Sequence, residues 1–451
     1  MINYLPLKLI ELAKKLPAPL YVVGGFTRNF LIDGKPSQDI DLCSALRPEQ
    51  MSDALKECDF KVVTEIKRTG TLMFYDGERK YEFTTFRKED YNGGEHTPYK
   101  TTFTQDIIED AKRRDFKCNA VYYDIASEKF VDPLGGIKDI ENKVLDTVCE
   151  PEKVFCHDGL RLMRLARFAG ELNFTPTEQV LEGAKKYAHN IKDITVERIF
   201  AELMKILSSD TAYSFSSERG HYVGLKILDQ TRVLELILPE LTDGRGMVQR
   251  ADFHLYDVLE HSLRTVRHAD KSVRLGALLH DVGKPFCFRR DGYYYHHFAE
   301  GEKIAERILT RLKADKETIK QVKFLVKEHM VDLDCSMREN KVRKFIVKNH
   351  DRLKELMFVK QADFRASLET HDVAPTLIKW DRIYKKMLAD GTPFTLKDLK
   401  VTSSELMKIG FTGEGIGKEL KKLFDLCVLN PERNKKEDLI KLAEKDFLVR
   451  A

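Results

Sequence analysis

No apolar run in the 451 residues approaches the roughly 18 to 20 that a membrane-crossing helix needs. The amino-terminal stretch "MINYLPLKLIELAKKL" also lacks the continuous apolar core of a signal peptide, because Lys8, Glu11, Lys14 and Lys15 interrupt it. A cytosolic protein is expected. Cysteine is thin and unpatterned: the eight stand singly, with no CxxC pair and no metal-ligand spacing, so they read as reduced, mostly structural thiols. An excess of one charge is missing too. The balance of 76 basic against 72 acidic residues leaves +4, which permits nucleic-acid binding through local patches without arguing for it. Internal repeats and low-complexity tracts are absent.

What is present changes character along the chain. The first 145 or so residues alternate strand and helix signals: "PLYVVGG" and "GTLMFYDGERKYEFTTFR" are β-branched and aromatic, with "DGER" as a hairpin turn. The polar stretch 88–100, "KEDYNGGEHTPYK", reads as a mobile loop. From about residue 150 apolar residues recur every three or four positions, the helical period. Gly and Asp punctuate that pattern near 241–254, and "ADGTPFTLKDL" marks a further break.

Three segments carry chemistry in the first part. In "QDIDL" an extended backbone would turn Asp39 and Asp41 to one face and Ile40 and Leu42 to the core. Two carboxylates on one face repel unless a cation lies between them, and hard oxygen ligands suit Mg²⁺ shared with phosphates. Gly24 and Gly25 let backbone amides approach an anion, and Arg28 can add a charge-assisted contact. Each pattern alone is more often a turn and a solvated acidic loop. The cluster "EDAKRRDFKCNAVYYD" (109–124) alone reads as a solvated helix end. In "HDGLRLMRLARFAGELNF" (157–174), Asp158 and Arg161 are three apart and would be neighbours on one helix. Such a pair is commonly surface stabilisation, yet rigidly held it can read a base edge, Arg donating and Asp accepting from an exocyclic amine.

Taken in order, "GGFTRNFLIDG…DIDL", "YEFTTFR", "RRDFKCNA", "DPLGGIKDI" and "DGLRLMRLARFAGELNF" resemble class II tRNA nucleotidyltransferases and bacterial poly(A) polymerases, densely over about the first 210 residues. The resemblance implies an α+β fold: a DNA-polymerase-β-type head with a mixed sheet, followed by an all-α neck, body and tail. It implies a catalytic head over 1–148, a neck with the nucleotide-selecting motif over 149–240, a body over 241–385 and a tRNA-binding tail over 386–451. Asp39 and Asp41 would be catalytic and hold metal, with Glu82 as an additional catalytic carboxylate near the metals. Gly24, Gly25, Arg28, Arg113, Arg114, Asp115, Asn119, Asp158, Arg161, Arg164 and Arg167 would bind nucleotide, Asp158 and Arg161 selecting CTP or ATP. The chain departs from the pattern at Asn29, where the family has Asp, at His157, where a Glu braces the template arginine, and at Lys117, where Thr is common.

The second part carries His261, the doublet His280–Asp281, His297, His329 and Asp363. All but His297 fall in segments that read as helical, and imidazole with carboxylate is a good transition-metal set. This pattern resembles the HD phosphohydrolase superfamily over about 254–365. It implies metal ligation by His261, His280, Asp281 and Asp363, with His297 and His329 as further ligands or phosphate contacts.

The expected activity is template-independent addition of C, A or both to the tRNA 3′ end from CTP and ATP, with Mg²⁺ in the head and a second divalent transition metal in the HD set. The expected partners are tRNA, ATP and CTP, with no membrane; oligomeric state stays open. The short, mixed-charge tail, with "GEGIGKELKKLFDLCVLNPERNKKEDLI", looks like that of tRNA nucleotidyltransferases rather than the long basic extension of poly(A) polymerases. The alternatives are a poly(A) polymerase, an HD-type phosphohydrolase with an RNA-binding head, and a non-catalytic RNA-binding protein.

Overall fold

A computed structural model describes residues 1–450 except 95, 251 and 253, and no helix among them is long and apolar enough to cross a membrane. The described residues divide into two compact units. The first comprises Met1–Asp243 with Arg307–Asp315, the second Gly244–Glu306 with the chain from Lys316 onward.

The first unit opens with α1 (Leu7–Lys15), β1 (Tyr21–Val23), α2 (Gly25–Asp33), β2 (Asp41–Ser44) and α3 (Pro48–Glu57). Strands β3 (Lys61–Ile66), β4 (Thr71–Tyr75), β5 (Lys80–Thr85), β6 (Arg87–Asp90) and β7 (Lys100–Phe103) follow, then α4 (Ile107–Lys112), β8 (Tyr122–Asp124), β9 (Lys129–Val131) and α5 (Gly136–Glu141). Seven strands form one mixed sheet in the order β3-β4-β5-β2-β1-β8-β9, in which only β2 and β5 run parallel. Helices α1 and α3 cover one face, where Leu9, Leu12, Met51 and Leu55 bury Val22, Leu42, Phe74 and Phe83.

The mixed sheet is the one expected for the head, whereas the expected loop at 88–100 is partly strand. Its ends pair as a separate two-stranded ribbon, β6 with β7, leaving only 91–99 as the connection. Charged side chains on one face stand in for apolar ones: Arg87 Nε donates to Glu89 Oε1 at 2.6 Å.

The rest of the first unit is helical: α6 (Pro151–His157), α7 (Leu160–Leu172), α8 (Glu178–Lys186), α9 (Val196–Ile206), α10 (Gly220–Gln230), α11 (Val233–Ile237) and α12 (Pro239–Thr242). Helix α7 is the axis of this bundle, packed against α9 and α10. The second unit is helical among its described residues. It holds α13 (Val258–His268), α14 (Arg274–Leu279), α15 (Lys284–Asp291), the start of α16 (His297–Arg311), α17 (Lys316–Glu328), α18 (Glu339–Lys348) and α19 (Leu353–Leu368). Helices α20 (Pro375–Ala389), α21 (Ser403–Ile409), α22 (Glu414–Leu429) and α23 (Lys436–Arg450) complete it. A separate apolar cluster, including Leu406, Phe411, Leu423 and Leu439, holds the tail helices together.

Candidate functional site

Sheet register creates the acidic edge. Val23 pairs with Asp41 across the antiparallel β1–β2 ladder, and Asp41 pairs with Glu82 across the parallel β2–β5 ladder. The next pair, Leu42 with Phe83, is buried in the core. Burying each of those side chains is worth about 1.5–3 kcal/mol. Repulsion between two water-touching carboxylates is nearer 1 kcal/mol at 4 Å. The core face therefore fixes the register and leaves the acids crowded. Asp39 differs from expectation: β2 begins at Asp41, so Asp39 lies in the exposed segment before the strand.

The glycine turn lies directly against this edge. Gly24, at φ +81°, caps the start of α2, and a Cβ added there would stand 3.4 Å from Asp41 Oδ2. The free amides of that helix start therefore open beside the carboxylate. Partial desolvation beside the glycine turn raises the Asp41 carboxyl to about 6, although it still touches water, with Glu82 and Asp39 adding to the shift and Arg114 opposing it. A carboxylate set short of positive charge fits a hard divalent cation bound with an anionic substrate.

Arg28 is buried. Its Nη1 donates to Asn119 Oδ1 (2.6 Å), its Nη2 to Tyr213 Oη (3.1 Å), and Nε and Nη2 both donate to Asn29 Oδ1 (3.1 and 2.8 Å). Asn119 Nδ2 donates to Asp115 Oδ1 (3.0 Å), and Arg164 donates to Asp115 Oδ2 through Nε and Nη2 (2.8 and 2.5 Å). One polar chain thus runs Asn29–Arg28–Asn119–Asp115–Arg164, and the arginine charge holds the buried Asp115 carboxyl well below its usual range. Arg113 and Arg114 are not a solvated helix end. Both reach the fully buried Asp110, at 2.7 and 3.1 Å, which holds that carboxyl down at about 2 against its burial. Arg167 is held by Glu202 (2.7 Å) and Glu171 (3.1 Å). Lys117 pairs with Asp146 instead.

Asp158 is not on the helix of Arg161. It is extended (φ −149°, ψ 106°) at the break between α6 and α7, and its Oδ1 accepts from the Leu160 amide at 2.9 Å. The break keeps the two side chains adjacent, Arg161 Nε lying 3.8 Å from Asp158 Oδ2. With His157 in the usual place of Glu, Arg161 is braced by backbone instead: Nη2 donates to the Arg113 carbonyl (2.5 Å) and Nη1 to that of Val154 (3.4 Å). Burial lifts the Asp158 carboxyl to about 6, with Arg161 opposing. Sequence reasoning missed Asp110, although it stands three and four residues before the arginines on α4. It also missed Glu89, Tyr91 and His96, which no local pattern announces.

In the second unit α13 packs on α19 and α14 touches both, so His261, His280, Asp281 and Asp363 converge. His261 Nε2 lies 3.0 Å from Asp363 Oδ1, and His280 Nε2 lies 3.2 Å from Asp281 Oδ2. Two triads have their ligand atoms within metal-holding reach, His261–His280–Asp281 and Asp281–His297–His329. His297, expected outside helices, is the first residue of α16. The nitrogen lone pairs give the fit to metal. His280, His297 and His329 donate Nδ1–H to the carbonyls of Ala277, Tyr294 and Val326 at 2.7–2.8 Å, leaving Nε2 bare in each. The bare Nε2 atoms of His297 and His329 face each other at 3.3 Å, which repels unless a cation lies among them. Lys284 Nζ also reaches Asp281 Oδ2 at 2.6 Å. His254, unnoticed in the sequence, sets its ring 4.8 Å from that of His261, and burial pushes it down to about 4.

The Poly A polymerase head domain matches residues 20–146, the "Probable RNA and SrmB- binding site of polymerase A" matches 173–244, and the HD domain matches 253–363. Head and HD domains of these kinds imply dependence on divalent metal. An A-adding tRNA nucleotidyltransferase of Deinococcus radiodurans is 33% identical over 58% of this chain and 61% of its own length. A CCA-adding enzyme of Ligilactobacillus salivarius is 35% identical over 45% and 48%. The chain thus spans less than two thirds of these relatives. The crystal structure of the Bacillus stearothermophilus CCA-adding enzyme in complex with CTP superposes with a TM-score of 0.65 at 21% identity, over 98% of this chain and 96% of that one, so the two share a fold.

Proposed function

We propose, from the matches of the Poly A polymerase head domain and the HD domain to this chain, that it is a cytoplasmic nucleotidyltransferase extending the tRNA 3′ end with C, A or both from CTP and ATP. One observation carries the reading: Asp41 lies between the glycine turn and Glu82, in the same unit as the Asp158–Arg161 pair. Asp39, Asp41 and Glu82 would hold Mg²⁺, which when bound activates the 3′ hydroxyl and neutralises charge on the α-phosphate and departing pyrophosphate. The amides at Gly24 and Gly25 face the triphosphate. Arg28 fixes Asn119, and Asn119 with Asp115 and Arg164 lines the sugar and phosphate side. Asp158 accepts from the exocyclic amine that cytosine and adenine share, while Arg161 donates to a ring or carbonyl acceptor.

The test offers tRNAs ending before the first C, after CC and after CCA, with each triphosphate given separately. Addition that stops at the completed CCA, or at CC or one A, supports the reading. Long A tracts on unrelated RNA would instead make this a poly(A) polymerase. A second reading rests on the facing imidazoles: the HD set would hold a divalent transition metal and hydrolyse phosphate esters. Hydrolysis that survives His280→Ala would exclude it.

A further inference from the structure

The connection between β6 and β7 is fastened to the Asp158 break at three points. The Gly159 amide donates to the Gly94 carbonyl at 2.8 Å. His96 Nδ1 donates to Asp158 Oδ2 at 2.8 Å. The Tyr91 ring stacks on that of His157, with centroids 5.3 Å apart and planes inclined by 16°, and the Arg161 guanidinium lies 5.8 Å from the same Tyr91 ring. The approach depends on missing side chains. A Cβ on Gly94 would stand 2.5 Å from Asn190 Cβ, and one on Gly159 only 2.2 Å from the Asn190 carbonyl oxygen. Tyr91 is itself tied back to the head, its hydroxyl donating to Glu89 Oε2 at 2.6 Å.

The consequence lies in how Asp158 is held. Oδ1 takes the Leu160 amide from the neck, and Oδ2 takes His96 from the head. Two bonds from opposite sides fix the plane of the carboxylate; without His96 it pivots on one. A base-reading carboxylate is selective only while its plane is fixed. Cytosine and adenine present an exocyclic amine that it accepts, where uracil and guanine present a carbonyl oxygen that it repels.

We propose that His96 is a specificity-determining positioning residue: it locks Asp158 in the plane that admits C and A and rejects U and G. The proposal rests on the nucleotide-addition reading above. Its test measures kcat and KM for CTP and UTP with the full chain and a tRNA lacking its 3′ CCA. His96→Ala should lower the CTP-over-UTP ratio of kcat/KM by about tenfold, the scale of one good base-edge contact. The loss should enter through a higher KM for CTP, with kcat within about twofold. His96→Asn, whose side-chain N–H can reach the same place as Nδ1–H, should restore the ratio. An unchanged ratio in His96→Ala overturns the proposal, as does a fall carried by kcat alone or a His96→Asn variant as unselective as His96→Ala. If the unmodified chain adds no nucleotide at all, the underlying reading fails and His96 falls with it. If it adds nucleotide but its selectivity ignores His96, only this inference fails.

Discussion

The two candidate metal centres are built on opposite plans. In the head, Asp41 and Glu82 stand exposed on paired strands, with Asp39 in the exposed segment just before them, an all-carboxylate set. In the HD unit, His261, His280, Asp281 and His329 are almost wholly removed from solvent, and backbone carbonyls aim three of the imidazoles. An open, all-oxygen edge leaves coordination positions for water and substrate phosphate, so its cation can arrive with the nucleotide. A closed nitrogen-rich nest pre-orients its ligands and holds a cation in the absence of substrate. On the proposed reading one centre would be completed by its substrate and the other by its fold.

The sharpest way to break that contrast is to remove the open edge. Asp39→Ala with Asp41→Ala should lower nucleotide incorporation on the order of a thousandfold or more. Thermal unfolding should be unchanged or slightly improved, because crowded carboxylates are relieved. A variant that still incorporates CTP or ATP into tRNA would remove the edge from the chemistry.

The closed nest should respond in the other order. His280→Ala should weaken binding of a divalent transition metal by about a hundredfold, since both neighbouring carboxylates lose their shared imidazole. Saturating metal should raise the thermal midpoint of the unmodified chain, by the equivalent of about 2.7 kcal/mol at a hundred times Kd, and the variant should lose that gain. Nucleotide addition should stay within about twofold. A metal-independent midpoint in the unmodified chain would mean that the nest is a structural hydrogen-bond cluster.

The same contrast explains what the sequence could disclose. Of the acidic pair only Asp41 was legible from strand alternation: Asp41 and Leu42 announce opposite faces once the segment is extended, whereas Asp39 precedes the strand, and the register then brings Glu82 alongside Asp41. The HD nest was visible because its residues occur in a distinctive order, although spacing said nothing of His254, which enters from an irregular segment. Asp158 was placed on a helix because its spacing to Arg161 is helical, whereas a chain break can hold the same distance. Tyr91 and His96 were illegible for a different reason. Their importance comes from the contacts of Tyr91, Gly94 and His96 with the neck that two small residues permit, and no pattern within the loop records its destination.

Asp158 sharpens the difference between a reading group and a metal group through pH. Its carboxyl is raised from 3.8 to about 6 by burial, so the folded state binds its proton more readily than the unfolded state. This group therefore favours folding at low pH and withdraws that contribution as pH rises from about 4 to about 6. Acceptance from a base amine runs the opposite way, because it needs the ionised carboxylate, and His96, Arg161, Arg164 and Asp115 are the charged or titrating groups around it. The KM for CTP and ATP should rise about tenfold between pH 7 and pH 5, while Asp158→Asn should be poor at both and nearly flat. A KM equally steep in the variant would assign the titration to another group.

The smallest expected effect concerns Asn29. The amide oxygen already accepts two bonds from Arg28, and Arg28 Nη1 is separately engaged by Asn119. Those two bonds are already charge-assisted by the guanidinium, and an aspartate would turn them into a buried ion pair with a stronger attraction. It would also bring a second charge into a place where Arg28 and Asn29 are each only 2% exposed, and the desolvation cost offsets that gain. Asn29→Asp should therefore leave kcat/KM within about threefold and the thermal midpoint within a few degrees. Asn29→Ala, which strands two guanidinium N–H groups in the interior, should cost about 1–3 kcal/mol of stability. The pair of variants separates two meanings of the departure. If the aspartate raises nucleotide addition tenfold or more, the open edge of this chain lacks a negative charge that its chemistry needs. If only the alanine is harmful, Asn29 serves Arg28 as a hydrogen-bond acceptor, and a neutral amide is sufficient to aim the arginine at the glycine turn.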